Sequence, residues 1–343
     1  MKHLTFSTLL IILLTSCNTT TLIVDIQKPA RISISNNITD VVIANRSTPS
    51  RKNLGENIME GVFTGEGIGM DKKASKMCAN TLIKSLSESN RFKVKNTVEI
   101  EFKGTGTSSF SPPLKWKKIS NICSSYNADA LIVLEAFDSN TRIYYGKPIT
   151  KIRKEKKKKI KELRFPAILE IEIKSGWRIY DLENKNIIDE NIFTEIKEFK
   201  AWGNSIKEAK RNLPSLSYAL IESGNFAGRQ YSNRISPNWI RSSRVFYSGK
   251  YDELKKAKKL VKDKKWDKAI LIWKGLINNE DDKLASQACY NLAIASEIKG
   301  LFAVALDWAR KAKKLGDKKS VSYIRTLNNR IVDQKKLDNQ LKK

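Results

Sequence analysis

Two stretches of the C-terminal third repeat one another at a spacing of 36 residues. Trp266-Asp267-Lys268-Ala269 lines up with Phe302-Ala303-Val304-Ala305, Lys264 with Gly300, and Leu276 with Ala312. Apolar residues fall at helical spacing within each stretch, so each reads as a pair of helices. Small side chains at Ala269, Ala293 and Ala305 let paired helices approach, while Trp266, Trp273 and Phe302 fill the space between pairs. A period of this size implies stacked helical units that bury a core against their neighbours. A last helix over about 319–340 would cap the array with a charged outer face. Two units are few for independent stability, so this part is expected to lean on what precedes it through 232–250.

The other end of the chain carries a processing signal. Met1 to Cys17 reads MKHLTFSTLLIILLTSC, with Lys2 as a small positive region and an apolar run from Leu4 to Leu14. That run is too short to span a bilayer, which takes roughly 20 helical residues, and it has the length of a secretory signal's apolar region. Leu14-Thr15-Ser16-Cys17 then matches the bacterial lipobox, in which the cysteine thiol takes diacylglycerol and the freed amine is acylated. Lipidation is therefore expected at Cys17, with residues 1–17 as the signal ending at the lipidated cysteine. More than one acyl chain anchors stably where a single chain is marginal. Asn18 follows, so the aspartate-type inner-membrane retention signal is absent, and an outer-membrane anchor facing the periplasm is expected.

Between the two ends, residues 18–30 read as a tether and 31–237 as an α/β domain, with a helical domain over 238–343. Alternation predicts short strands at 31–35 and 41–44, and another over 91–102. Asp71 caps a predicted helix over 72–88, and Pro112-Pro113 introduces a second over 114–126. The continuous apolar run of 128–135 predicts a buried strand. Two long strands follow, 167–180 and 187–200, joined by a polar turn, and then one amphipathic helix over 204–231. Gly224 and Gly228, one turn apart on that helix, suit a close backbone approach. The fold class expected is α+β: a mixed sheet with packed helices, an α/β sandwich, followed by an all-α tetratricopeptide-like helical repeat unit.

Composition narrows the chemistry. The single histidine is His3, inside the signal, so the remainder of the chain offers no Ser-His-Asp or Cys-His catalysis and no imidazole-based zinc site. No catalytic residue, metal site or cofactor is expected. Cys78, Cys123 and Cys289 lack metal-ligand spacing and read as small buried apolar groups; a bridge between Cys78 and Cys123 has no support in the spacing. Glu170 and Glu172 share a strand face and read as the polar side of a half-buried sheet. The stretch Gly65-Glu66-Gly67-Ile68-Gly69 lacks the spacing of a phosphate-binding loop.

Net charge is +28, from 64 Lys+Arg against 36 Asp+Glu. The excess is spread along a Lys-, Ile- and Asn-rich chain, which fits either the residue usage of an AT-rich genome or an anionic partner. It peaks in 151–164, KIRKEKKKKIKELR, with nine basic and two acidic residues. That segment reads either as a solvated hairpin or as a contact for anionic head groups through Lys156, Lys157, Lys158 and Lys159. Aromatic residues do not interleave with it, which disfavours nucleic acid.

Within the repeat, Tyr290-Asn291-Leu292, Gly300, Phe302, Ala305 and Ala312 fall where the tetratricopeptide repeat has its signature positions, as do Trp266, Ala269 and Trp273 in the preceding unit. Together with the lipobox, the Gly65-Glu66-Gly67 loop before a helix, Ser89-Asn90-Arg91-Phe92, Ala128-Asp129-Ala130-Leu131, Trp177-Arg178-Ile179-Tyr180-Asp181 and Arg234-Ile235-Ser236-Pro237-Asn238-Trp239, the chain resembles an uncharacterised Gram-negative lipoprotein family with C-terminal tetratricopeptide repeats. The middle resembles more loosely the α/β domains of curli-secretion-type and Tol-type periplasmic lipoproteins. The resemblance implies architecture without biochemistry. The lipobox, the helical repeat and the lack of histidine lead to the expectation of a lipid-anchored, non-catalytic scaffold on the periplasmic face of the outer membrane, binding an envelope protein. Alternatives are an oligomerising assembly or secretion component, and a cell-wall enzyme using carboxylates such as Glu135 or Asp138.

Overall fold

The computed structural model describes residues 18–49, 69–104, 109–155 and 158–341. The chain divides into two compact units. The first takes Pro29–Asn238 with the last residues from Asn339, and the second takes Trp239–Asp338 with the N-terminal stretch up to Lys28. The architecture is mixed α/β, with a mixed sheet and, among the described residues, nine helices, the C-terminal portion being helical.

The first unit is built on one sheet. Strands β2 (Asp40–Pro49), β3 (Lys93–Val94), β4 (Ile100–Gly104), β5 (Ala130–Tyr145), β6 (Ile149–Glu155), β7 (Lys158–Asp181) and β8 (Asn186–Gly203) make it up. β2 pairs in parallel with β3, β4 and β5, whereas β7 runs antiparallel to β5, β6 and β8. Alternation along the central strands sends side chains to two covers. Val41, Ile43, Ile132, Ile171, Ile173 and Trp177 face helices α1 (Met70–Ser87) and α4 (Leu216–Ile235). Val42, Ala44, Leu131, Val133 and Tyr180 face α2 (Trp116–Tyr126) through Ile119 and Cys123. The continuous apolar run of β5 thus follows from burial on both faces.

Gly224 and Gly228 make the α1–α4 contact possible. A Cβ on Gly224 would lie 2.2 Å from the Ala74 carbonyl oxygen, and one on Gly228 2.2 Å from that of Cys78. The single amphipathic helix expected over 204–231 is instead two, α3 (Ile206–Arg211) and α4. Pro214 has no N–H to give and disfavours helical geometry before it. Ser215 then starts α4 afresh, its hydroxyl accepting from the Tyr218 N–H at 3.3 Å. Other expectations shift too. Residues 31–35 form no strand, 91–102 splits into β3 and β4, and the strand expected to end at 135 runs on to Tyr145. Cys78, Cys123 and Cys289 are free and buried, with Cys78 and Cys123 on opposite faces of the sheet.

The second unit holds a two-stranded sheet, β1 (Thr19–Lys28) with β9 (Asn238–Tyr247), and helices α5 (Asp252–Lys262), α6 (Trp266–Gly275), α7 (Asp282–Ile298), α8 (Phe302–Lys314) and most of α9 (Lys319–Leu341). The expected tether over 18–30 is thus strand for most of its length. Its polar start hid an alternation, Thr20, Leu22, Val24, Ile26, that turns Leu22 and Ile26 inward. The α5–α6 and α7–α8 turns share one backbone course. Lys264 and Gly300 are left-handed, at φ 59° and 75°. Asp263 and Lys299 lie at (−81°, 9°) and (−80°, 1°), and Lys265 and Leu301 at (−88°, 57°) and (−87°, 64°). Lys265 N–H donates to the Leu260 carbonyl at 2.8 Å, and Leu301 N–H to that of Ser296 at 2.9 Å. A left-handed residue closing a helix on a returning hydrogen bond is a common helix stop, and here it recurs at the 36-residue spacing seen in the sequence.

Candidate functional site

The second unit contains a groove of about 620 Å³. It is lined by Leu22–Gln27 of β1, by Trp239 of β9, by Trp266, Phe302 and the end of α7, and by Arg330 and Gln334 of α9. Among the described residues β1 pairs with β9 alone in a two-stranded sheet, so its other edge has no strand partner there. An open strand edge presents a row of backbone N–H and C=O groups that a second extended chain can match. Beside that edge the surface is apolar: Trp239 is 67% and Ile23 60% exposed.

Behind the apolar wall lies a buried charged network. Glu297, at the end of α7, takes both arms of Arg244, Nε at 2.7 Å and Nη2 at 2.6 Å, and the Tyr323 hydroxyl at 2.6 Å. Two-point pairing of guanidinium to carboxylate fixes geometry as well as charge. Burial pulls the Arg244 guanidinium down, but Glu297 more than offsets it and leaves the group above its usual value. Burial, and then Glu297, push the Tyr323 hydroxyl far up, so it stays a donor. Arg330 lies 3.6 Å from Glu297, stacks on the Phe302 ring at 4.9 Å and donates through Nη1 to the Gln27 carbonyl at 3.2 Å. Burial holds Arg330 below the usual arginine value despite Glu297. The network therefore fixes α9, α7 and β1 to one another and makes the groove preformed.

The expected repeat residues fall in this unit. Ala269, Ala305 and Ala312 are fully buried at helix contacts, and Trp273, Tyr290 and Leu292 are core. Trp266 meets Trp273 edge-on at 6.5 Å while its other side lines the groove, as does Phe302, and Gly300 is the left-handed turn. Asn291 is fully buried, and its side-chain amide brackets the backbone of β9, accepting from the Tyr247 N–H and donating to the Tyr247 carbonyl, both at 2.8 Å. Reading by spacing found these residues and missed Arg244, Glu297 and Arg330, which come from three separate elements. The inward alternation of β1 was the one available signal for the groove wall.

Other expected positions lie elsewhere. Cys17, Lys156, Lys157 and the stretch 65–68 lie outside the described residues. Lys158 opens β7, and Lys159 beside it is exposed. Glu170 and Glu172 alternate with buried Leu169, Ile171 and Ile173, and Glu170 accepts from Arg142 Nε at 2.5 Å. Glu135, weighed as a catalytic carboxylate, is 0% exposed and held by Arg46 at 3.1 Å and by the Tyr180 hydroxyl at 2.8 Å, leaving no side toward a substrate. Asp138 is half-buried, and burial raises its carboxyl above the usual range against the pull of Lys174. The thiols of Cys78 and Cys123 are pushed up by burial, the latter to about 11, which makes both poor nucleophiles. Among the described residues there is no cluster of acids, cysteines or histidine able to hold a metal, and no helix long and apolar enough to cross a membrane.

A family model described as a domain of unknown function (DUF8603) matches residues 38–247. A second, also a domain of unknown function (DUF6340), matches 255–338. No curated protein matches the chain. Among solved structures, the chain is similar to a neuraminyllactose-binding hemagglutinin homolog from Helicobacter pylori, over 61% of this chain and 88% of that one. The identity is 11% and the TM-score 0.24, a likeness too low to carry an argument about fold or function.

Proposed function

The chain belongs to the family of the domain of unknown function DUF8603, and from that premise, with chemistry left to the geometry, we propose that it is a lipid-anchored, non-catalytic protein-binding module. Its partner, an envelope protein, lays an extended segment along the open edge of β1. The observation that carries this reading is the groove itself: a strand edge without a strand partner among the described residues, an apolar wall and a preformed charged floor meet in one place. Strand addition draws affinity from main-chain hydrogen bonds and selectivity from pockets for alternate side chains. Trp239 and Ile23 supply apolar surface for such side chains. The repeated turn course over 252–314 supports a tetratricopeptide-like reading of the helices. The lipobox supports an anchor at Cys17 on the periplasmic face of the outer membrane.

The test uses the full-length protein in its own membranes, with a photo-crosslinking residue replacing Ile23 or, as control, Val321, which is exposed but lines no part of the groove. Ile23 is expected to trap one envelope protein, Val321 none, and Trp239→Ser to remove the adduct. Equal adducts at both positions would sink the groove reading. Adducts only with further copies of this chain would replace it by the self-assembling alternative. In the same cells Cys17→Ala should move the protein out of the outer-membrane fraction, and unchanged fractionation would remove the anchor.

A further inference from the structure

β6 and β7 form a two-stranded ribbon whose register divides its charges unequally. Thr150 opposes Leu163, Ile152 opposes Lys161, and Lys154 opposes Lys159. Residues directly opposite share a face, and the faces alternate along each strand. Among the residues with described side chains, one face therefore carries Thr150, Ile152, Lys159, Lys161 and Leu163, two cations and two aliphatic residues without a carboxylate. The acid Glu162 falls on the other face, where Arg153 pairs with it at 3.1 Å.

On the acid-free face Ile152 is 57% and Leu163 50% exposed, as a diagonal cross-strand pair. Lys159 and Lys161 are exposed and make no ion pair among the described residues. Lys159 and Lys161 lie two apart on β7 and so share this face, and like charges so placed repel. An isolated ribbon gains nothing from this arrangement. A surface dense in phosphate relieves the repulsion, and an apolar layer just beneath it accepts the two aliphatic side chains.

We propose that this face of the β6–β7 ribbon docks on a bilayer of anionic phospholipid, Lys159 and Lys161 meeting the head-group phosphates and Ile152 and Leu163 entering the acyl boundary. Amphipathic segments of cationic and aliphatic residues settle at that depth, and basic residues gain from the anionic surface within a screening length of it. Nucleic acid fits less well, because 149–164 holds no aromatic residue for bases to stack on and the aliphatic pair would stay in water. This docking is separate from both the groove and the anchor: it concerns which face of a ribbon meets the surface, not what holds the chain to the membrane.

The test is a local one on the lipidated full-length chain in vesicles. A polarity-sensitive dye is placed on the proposed face at Thr150→Cys and, as control, on the opposite face at Ile160→Cys; the native thiols described above are buried. Vesicles containing phosphatidylglycerol should raise the Thr150→Cys emission several-fold with a blue shift, and pure phosphatidylcholine should not. Lys159→Glu with Lys161→Glu, or high salt, should abolish the change, and inorganic phosphate alone should not reproduce it. The Ile160→Cys dye should stay as in water. Equal response from both faces, equal response on phosphatidylcholine, or no response on either lipid would overturn the proposal. Loss of the Cys17 lipid alters how much protein is bound, whereas the contrast between the two dyes reads the ribbon alone.

Discussion

Glu135→Ala is expected to destabilise the α/β unit by about 3–5 kcal/mol, the usual cost of stranding buried partners of an ion pair. Glu135 lies at the irregularity in the β5–β7 register, between Leu134 opposite Trp177 and Ala136 opposite Gly176. Its carboxylate takes Arg46 Nη1 at 3.1 Å and the Tyr180 hydroxyl at 2.8 Å, and Arg178 Nη1 is 3.3 Å away. The same arginines donate to the carbonyls of Pro112 and Ser111, at 2.7 and 2.6 Å, and the Tyr180 hydroxyl accepts from the Leu114 N–H at 3.1 Å. Burial pushes the Tyr180 hydroxyl up to about 12, so it is a fixed donor to Glu135. Removing the carboxylate leaves Arg46 with no ion pair among the described residues and Arg178 with Glu190 alone, and loosens the Ser111–Leu114 segment that leads into α2. Denaturant unfolding measures the loss, and Tyr180→Phe, which removes a single hydrogen bond, should cost only about 1 kcal/mol. A Glu135→Ala loss no larger than that of Tyr180→Phe would mean that the cluster is not a unit.

Gly224→Ala should cost about 1–3 kcal/mol, a penalty typical of overpacking, although alanine is the better helix former by about 1 kcal/mol. The added Cβ would lie 2.2 Å from the Ala74 oxygen and 2.9 Å from its carbonyl carbon, both backbone atoms that cannot rotate away. The two helices must separate, which opens contacts along Leu82, Leu220 and Ala227 in the largest core cluster. Gly275→Ala is the internal control, since nothing lies within 4 Å of the Cβ it would add. Thermal unfolding of the two variants should move in opposite directions or differ clearly. Equal midpoints would show that α1 and α4 can part at no cost.

The sequence by itself determined whatever repeats at short range. The 36-residue spacing placed α5 to α8 and even matched the left-handed turn at Lys264 with that at Gly300, because a helix stop is a local backbone event. The double burial of β5 was legible in the unbroken run Ala130–Leu134, and the close approach at Gly224 and Gly228 in their spacing of one helical turn. Lack of histidine after His3 excluded whole classes of catalysis without any coordinates. Only the tertiary structure decided the rest. β1 read as a tether because a strand of mixed polarity has no meaning until β9 lies beside it, and its partner is more than 200 residues away. Glu135 read as a candidate acid because Arg46 and Arg178, which bury its charge, come from other strands. The lysine-rich segment read as one undivided charge, and the hairpin register alone sorted it into a face that carries Glu162 and a face of Lys159 and Lys161. Period and propensity are written in neighbouring residues, whereas pairing, burial of charge and the sidedness of a ribbon arise from contacts that the linear order does not encode singly.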